Sequence, residues 1–337
     1  MLTLWYMRSL PGTNEDRERS VPARERSAGD SWETKEAYLL SLYLFSMAYI
    51  CIVMDRKAFL RTSLLGGTAL ATAGKLVSRQ VPEEVVGFEH LPTENAHVMK
   101  NMVLHKAGTR GHADHGWLNA HHTFSFANYY DPDRMHFGVL RVLNDDVIAA
   151  GRGFSTHPHD NMEIVTIPLS GAVAHKDSMG NSGTVSAGEV QVMSAGTGIT
   201  HSEMNHYRDK DLRLLQIWMF PRERNVTPRY AQMILDPKAG ENAFQQVLSP
   251  DPDDAGVWVH QDAWFHLGRF DGARSVDYHV KRKGNGVYAF LIEGTATING
   301  QPLELRDGLG VWDVDALAIT TGMNGARILL MDVPMEL

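Results

Sequence analysis

Two short runs, Phe154-Ser-Thr-His-Pro-His159 and Thr200-His-Ser-Glu203, carry the pattern that decides the fold. Each run holds two side chains able to bind a metal at positions i and i+2: two imidazoles in the first, an imidazole and a carboxylate in the second. Successive side chains of a β-strand point to opposite faces, so this spacing puts both members of a pair on one face. The two runs therefore predict two strands that direct their polar groups into the same interior.

The sequence around these runs has the pattern of short β-strands. Apolar or alternating segments of strand length occur at Leu140 with Val142, and at 147–149, 163–169, 172–175, 190–193 and 212–220. Turn-forming residues separate them, among them Asn144-Asp-Asp146, Ser170-Gly171 and Asp177-Ser-Met-Gly-Asn181. Closely spaced short strands with Gly-rich turns predict an all-β barrel or sandwich.

The same pattern resumes after Ser249-Pro-Asp-Pro-Asp-Asp-Ala-Gly256, with segments at 257–260, 275–280, 287–292, 296–298, 310–312 and 327–331. Two barrels in tandem fit this repetition best. We assign residues 102–235 to an N-terminal metal-binding barrel and residues 236–337 to a C-terminal barrel. The second barrel has His260, His266 and His279 but no His-x-His or His-x-Glu pair. We expect it to bind no metal and to pack against the first barrel, shielding the site.

Four side chains from the two runs form a candidate metal site: His157, His159, His201 and Glu203. Three imidazoles and one carboxylate would leave one or two coordination positions open, as catalytic metal sites do. Glu163 competes for the carboxylate position, because its i+4 spacing from His159 fits the same strand face. The residues alone leave that choice open.

The charge and cysteine content limit the classes of partner that the protein is expected to bind. The chain of 337 residues is 43% hydrophobic and carries a net charge of −8, so it lacks the basic field that binds phosphate backbones, and we expect no direct nucleic-acid binding. Its one cysteine, Cys51, excludes an intramolecular disulfide and a thiolate cluster. A small molecule or a protein is the expected partner, and we expect a monomer.

The glycine spacing around the candidate ligands resembles the two motifs of cupins. The first motif is matched to within one residue by Gly151, His157-x-His159, Glu163 and Gly171. The second motif is matched by Gly188, Ser194-x-Gly196, His201 and Asn205. It departs from the cupin pattern in having Ser194 in place of proline and two extra residues before the histidine.

A more specific resemblance extends from Met102 to Leu337. The runs that carry it are Asp114-His-Gly-Trp-Leu118, His121-His-Thr-Phe-Ser-Phe126, Phe137-Gly-Val-Leu-Arg-Val142, Phe154-Ser-Thr-His-Pro-His159, Asp177-Ser-Met-Gly-Asn181, Val192-Met-Ser-Ala-Gly-Thr-Gly-Ile-Thr-His-Ser-Glu-Met-Asn205, Gln216-Ile-Trp-Met219 and Thr227-Pro-Arg-Tyr230. With these runs the sequence resembles the bacterial pirin family, including its quercetinase-like members.

The pirin resemblance implies two tandem cupin (jelly-roll) barrels and the ligand set His157, His159, His201 and Glu203. Glu163 then either lies behind the ligands and orients one of their imidazoles, or is a solvated charge at the barrel rim. Six histidines lie between His105 and His136. Because pirins carry part of this set, we favour barrel capping for His115 and His122 over a second metal site.

The resemblance also implies a function: a flavonol 2,3-dioxygenase that opens quercetin-like rings with dioxygen. The metal would act as Lewis acid for the deprotonated flavonol, with Glu203 as the candidate base. Such a site accepts iron, nickel, copper, manganese or zinc, and iron(II) is our first choice. Two alternatives stay open: a non-catalytic, metal- or redox-sensing regulatory protein, and another metal-cupin reaction such as an isomerisation.

Residues 1–101 lie outside the resemblance and form a non-barrel extension. Residues 11–36 have the composition of a disordered arm, and the apolar run 37–54 is long enough to cross a bilayer if it is translated.

Residues 54–73 have a basic start, a short apolar core and small-x-small cleavage candidates such as Ala71-Thr-Ala73. Arg56-Lys-Ala-Phe-Leu60 resembles a twin-arginine export motif, with Lys57 in place of the second arginine. We expect Met54 as the true start and export to the periplasm, with a cytoplasmic protein as the alternative. Sequencing the native N-terminus separates these cases, and export would exclude a transcriptional role.

Overall fold

The structure is a computed structural model that describes residues 101–337. The predicted arm, the apolar run 37–54 and the signal-like segment 54–73 lie outside the described residues and stay predictions. Within residues 101–337, no helix is long and apolar enough to cross a membrane.

Twenty strands and one 3₁₀ turn make up the described part of the chain. In chain order they are β1 (Met102–His105), the turn Ala107–Thr109, β2 (Gly111–Asp114), β3 (Leu118–His122), β4 (Leu140–Ile148), β5 (Gly153–His159), β6 (Glu163–Ser170), β7 (Ala172–Asp177), β8 (Ser182–Ser186), β9 (Glu189–Ser194), β10 (Ile199–Asn205), β11 (Leu212–Met219), β12 (Arg229–Ile234), β13 (Phe244–Ser249), β14 (Val257–Trp258), β15 (Trp264–Phe270), β16 (Ser275–His279), β17 (Asn285–Ile298), β18 (Gln301–Leu303), β19 (Gly308–Val311) and β20 (Ala316–Pro334).

The N-terminal barrel is built from two sheets. A four-stranded sheet has the order β5-β10-β7-β8, and a seven-stranded sheet has the order β12-β9-β6-β11-β4-β3-β2. The described pairs in both sheets are antiparallel. The expected all-β cupin fold is therefore confirmed.

The central strands of the seven-stranded sheet are buried on both faces. Along β11, Leu214, Gln216 and Trp218 face the interior of the N-terminal barrel, while Leu215 and Ile217 alternate with them on the other face. That second face joins a core that includes residues of the C-terminal barrel such as Phe265, Tyr288 and Met331. The two barrels therefore share one hydrophobic core, and this packing is the role expected for the second barrel.

The C-terminal barrel consists of a nine-stranded sheet around its own apolar cluster. Its long strands β17 and β20 pair along most of their length, with irregular register between Leu291 and Glu293 and between Gly294 and Ala296. Such bulges let one strand bend from one layer of a barrel into the next. The predicted segments 287–292 and 296–298 are thus parts of a single strand.

Strand β1 belongs to the C-terminal sheet, although it precedes the N-terminal barrel in sequence. Met102 pairs with Val311 and His105 with Gly308. The buried His105 ring also contacts Tyr288, with 2.8 Å between Nδ1 and the hydroxyl oxygen. The first strand of the predicted N-terminal segment therefore belongs to the C-terminal sheet, which a single division at residues 235/236 does not show. That division itself stays a prediction.

The turn predicted at Asn144-Asp-Asp146 is wrong, because all three residues lie within β4. Asn144 and Asp146 share the strand face of Val142 and Ile148, which points into the N-terminal barrel. Asp145 points the other way and forms ion pairs with Arg110 and Arg306, at 3.2 and 3.4 Å. Local turn propensity failed here because partners distant in sequence satisfy two of the three polar groups: His122 contacts Asn144, and the two arginines pair with Asp145.

Substitution of Gly138 tests how closely the barrels approach. Gly138 has φ +51°, and a Cβ there would collide with the backbone of Pro334. We expect Gly138→Ala to lower the free energy of unfolding by about 2–5 kcal/mol, since left-handed strain costs about 1–2 and overpacking about 1–3 kcal/mol. Denaturant unfolding measures the change.

Gly116→Ala is the matched control, because Gly116 has φ +78° and a Cβ added there would meet no atom within 4 Å. It should cost only the backbone strain. Equal losses in the two variants would contradict a close approach at Gly138.

Candidate metal centre

Strand β10 is the centre of the site, because it pairs with β5 on one side and β7 on the other. His201 lies opposite His157 of β5, and Glu203 lies opposite His175 of β7. Directly opposed residues of an antiparallel pair point to the same face. This register directs ligand groups from three strands into one interior.

The structure brings together the three predicted histidine ligands. His157, His159 and His201 each offer a ring nitrogen, and these atoms lie within 4.8 Å of one another. The ring centroids are 4.5 Å apart for His157 and His201, and 4.9 Å for each of the other two pairs. His157 and His159 are half-buried, whereas His201 is buried. The cluster therefore lies where the barrel interior opens to solvent.

Glu203 lies deeper, in a second group of ligand atoms. Its carboxylate is within 4.8 Å of ring nitrogens of His175 and His201. The two carboxylate oxygens accept hydrogen bonds from Gln216 Nε2 at 2.9 Å and from Thr166 Oγ1 at 3.3 Å. The four ligands named from sequence thus fall into two triads that share His201.

Sequence reasoning missed His175 as a candidate ligand. His175 and Asp177 repeat on β7 the same i, i+2 spacing that singles out the other two strands. Their buried side chains interact, with 3.3 Å between His175 Nε2 and Asp177 Oδ2. The sequence pattern did not single out His175 and Asp177 as a ligand pair, because Asp177 also begins the turn to β8 and the run 177–181 is typical of a turn.

Burial and mutual repulsion lower the pKa of two of the candidate ligand imidazoles, those of His159 and His201. Burial, followed by the neighbouring His201 and His157, lowers the pKa of His159 to about 3. Burial, followed by His157 and His175, lowers the pKa of His201 to about 2. Neutral imidazole is the form that binds a metal.

The donors fit a transition metal. Both ring nitrogens of His201 are buried without a protein hydrogen-bond partner. Buried polar atoms almost always find one, and a bound ion supplies it. The other ligand rings are imidazoles as well, a donor type that suits iron, nickel, copper and zinc.

An open cavity adjoins the histidine cluster. It has a volume of about 340 Å³ and is lined by His159, Asp160, Ser178, Thr197 and Ile199, among others. Behind the ligands lies an apolar group that includes Met162, Ile164 and Trp218. Trp218 packs edge-on against His159, with 4.9 Å between ring centroids. One side of the cluster is therefore open to a small molecule and the other excludes water.

Both roles considered for Glu163 are wrong. Its side chain is fully buried, so it is not a solvated rim charge, and it faces the C-terminal barrel instead of the ligand imidazoles. Glu163 Oε2 accepts hydrogen bonds from Ser194 Oγ at 2.7 Å and from the backbone N–H of His260 at 3.3 Å. The i+4 argument failed because the chain turns at Asn161, leaving His159 and Glu163 on different strands.

The histidines between His105 and His136 belong to neither ligand triad found in residues 101–337. His122 is buried, with 2.9 Å between its Nδ1 and Asn144 Oδ1. His112 and His121 stack at 4.6 Å on the outer strands β2 and β3. For His122, this contact agrees with the structural role that was favoured.

Two tandem barrels with imidazoles and a carboxylate inside the first define the metal-binding bicupins. Residues 103–219 match the family described as Pirin, and residues 246–333 match the one described as Quercetinase C-terminal cupin domain. A protein of Escherichia coli O157:H7 described as quercetin 2,3-dioxygenase is 49% identical over 232 residues, which cover 68% of this chain and 98% of that protein. The chain belongs to the pirin family.

Solved structures agree with this assignment. The crystal structure of YhhW from Escherichia coli has a TM-score of 0.66 at 47% identity, covering 70% of this chain and 99% of that one. The structure described as bacterial pirin YhhW in complex with nickel(II) has a TM-score of 0.65 at 46% identity, covering 69% and 99%. A quercetin 2,3-dioxygenase from Acinetobacter baumannii shares the fold at 18% identity and a TM-score of 0.56, covering 70% and 80%.

Ligand substitutions test the metal site. We expect His201→Ala to abolish metal binding, and His157→Ala and Glu203→Gln to weaken it by more than about 100-fold, since losing even a residue that only orients a ligand costs about 10–100-fold. Metal content after dialysis and the dissociation constant for Co²⁺ measure this.

Glu163→Gln is the matched carboxylate control and should keep its metal. If Glu203→Gln kept its metal and Glu163→Gln lost it, the ligand role would pass to Glu163. A full metal content in His201→Ala would contradict the proposed site.

Glu163 also predicts a pH dependence of stability. Burial raises the pKa of Glu163 from 4.5 to about 7. The folded state therefore holds a proton that the unfolded chain releases, so stability falls as pH rises from 4.5 through 7. The Glu163→Gln variant has no such proton to lose. Between pH 5 and pH 8 its free energy of unfolding should therefore rise by on the order of 2 kcal/mol relative to that of the parent.

Urea unfolding at pH 5 and pH 8 measures this difference. The exposed Glu223→Gln is the control and should follow the parent at both pH values. Parallel pH profiles for the parent and Glu163→Gln would contradict a protonated Glu163.

Proposed function

We propose that the protein is a metal-dependent dioxygenase that opens the ring of a flavonol such as quercetin with dioxygen. The observation that carries this proposal is the cluster of the imidazoles of His157, His159 and His201 beside a cavity of about 340 Å³. The description of the 49%-identical relative as quercetin 2,3-dioxygenase supports the choice of reaction.

His157, His159, His201 and Glu203 would hold one divalent transition metal. When bound, it supplies Lewis acidity toward the flavonol oxygens and a meeting point with dioxygen. Iron(II) remains our first choice. The nickel in the related pirin structure makes nickel the main alternative, and copper, manganese and zinc also suit the donor set.

Glu203 is the base that we assign to the substrate hydroxyl. Gln216 and Thr166 donate to its oxygens and fix the carboxylate within the barrel. A positioned carboxylate can take the proton that the flavonol loses on binding, and proton transfer of this kind contributes about 10²–10⁴-fold to a rate. Glu203 would thus serve both as ligand and as proton acceptor.

The surroundings of the cluster suit an aromatic ring. Trp218, Ile199 and Met162 form an apolar wall next to the ligands, and Phe126 packs against it. Polar groups of Ser178 and Thr197 line the cavity and can meet substrate hydroxyls. We therefore propose a small aromatic substrate and dioxygen as partners, and we keep the expectation of a monomer.

Oxygen uptake tests the proposal. The full-length protein is reconstituted separately with iron(II), nickel, copper and manganese, and oxygen consumption with quercetin is measured together with metal content. We expect turnover that depends on one bound metal and falls more than about 100-fold in His157→Ala, because a ligand is lost. His112→Ala, an exposed histidine of the same barrel, is the control.

Stoichiometric metal without oxygen uptake would contradict the dioxygenase. That result would favour a metal-sensing protein or a reaction on another substrate.

A further inference from the structure

The N-terminal barrel holds a second set of metal-ligand atoms deeper than the three-histidine group. His175, His201 and Glu203 each offer one, and these atoms lie within 4.8 Å of one another. Their exposed fractions are 2%, 2% and 3%, whereas His157 and His159 are half-buried. Two imidazoles and one carboxylate form a ligand set that proteins use for iron(II).

His175 is held in the orientation that a ligand requires. Asp177 fixes the ring through Nε2, and Asp177 itself accepts hydrogen bonds from the backbone N–H groups of Met179 and Asn181 and from Asn181 Nδ2. A carboxylate behind an imidazole selects the tautomer whose other nitrogen carries the lone pair. The lone pair of His175 then lies on Nδ1.

That nitrogen is buried and has no protein hydrogen-bond partner. Tyr230 packs against the His175 ring, with 4.7 Å between ring centroids, and the His201 ring centroid lies at 5.3 Å. The nitrogens of His201 are unpartnered as well. Leaving such atoms unsatisfied costs about 1–3 kcal/mol each, and a cation between them removes that cost.

We propose that the barrel has a second metal position, formed by His175, His201 and Glu203, with the unpartnered His175 Nδ1 as the ligand atom of that ring. It shares His201 with the three-histidine group and Glu203 with the four-ligand set proposed above, so one ion occupies either position. An ion in the deep position is closed off from the cavity that adjoins His159. The relative occupancy of the two positions then sets the fraction of protein molecules whose metal is accessible to a substrate. This inference does not depend on the dioxygenase reaction.

Co²⁺ binding to the full-length protein tests the second position without quercetin or dioxygen turnover. The double variant His157→Ala/His159→Ala removes the outer ligands and should still bind one Co²⁺ per chain. Its affinity should be at least about 100-fold weaker than that of the parent, as expected for His157→Ala, because the outer imidazoles are lost. Isothermal titration gives affinity and stoichiometry, and the visible absorption of Co²⁺ reports its coordination.

Adding His175→Gln to the double variant should weaken Co²⁺ binding by a further factor of about 100, because a ligand is removed. Glutamine can still donate to Asp177, which preserves the local hydrogen bond and favours folding. Adding His122→Ala instead, a buried histidine of the same barrel outside both triads, should leave the binding of the double variant unchanged. Circular dichroism checks that each variant is folded.

Two outcomes would overturn the second position: a folded double variant that binds no Co²⁺, and binding by the double variant that persists after His175→Gln. Neither outcome bears on quercetin turnover by the parent. If the parent bound Co²⁺ as expected but no reconstituted form turned over quercetin, that result would instead count against the proposed dioxygenase.

Discussion

The antiparallel register of β10 between β5 and β7 is the constraint on which the site depends. It sets His201 opposite His157 on one side and Asp177 on the other, and Glu203 opposite His175. A slip of one residue would turn every side chain of β10 to the opposite face and disperse both triads. The backbone hydrogen bonds of the four-stranded sheet thus fix the metal ligands before any ion binds, and this preorganisation lowers the cost of binding.

The second barrel contributes to the site through the sheet that both barrels share. Strands β6, β11 and β4 bury one face in the N-terminal interior and the other against residues such as Phe265 and Met331. This double burial holds Thr166 and Gln216 in place behind Glu203. It also encloses the Glu163 carboxyl between the barrels, where low polarity favours its protonated form. The C-terminal barrel can therefore stabilise the barrel that carries the candidate metal ligands.

Much of the fold and most of the candidate ligands could be predicted from the sequence, because both follow from local spacing. The i, i+2 pairs on β5 and β10 and the strand-length segments predict an all-β protein with His157, His159, His201 and Glu203 in one interior. Long-range partners explain the rest. The polar run at 144–146 lies in a strand because Arg110 and Arg306 pair with Asp145. Glu163 lies on another strand than its spacing suggested. His175 and Asp177 do have the local i, i+2 spacing, but only the pairing of β7 with β10 places His175 opposite Glu203. The partners of Asp145 and Glu163 cannot be inferred from local pattern.

The pairing of β1 with β19 has a consequence for the order in which the chain folds during synthesis. Met102 leaves the ribosome roughly 200 residues before its partner Val311, a delay of about 10–40 s at about 5–20 residues per second. Throughout that time β1 has neither its partner strand nor the Tyr288 hydroxyl that His105 contacts. The N-terminal barrel can assemble from β2 to β12 in the interval, but the C-terminal one closes only when the chain is almost complete. Nascent chains therefore carry an open strand edge, and a chaperone that covers it would protect the protein at the stage when aggregation is the main hazard.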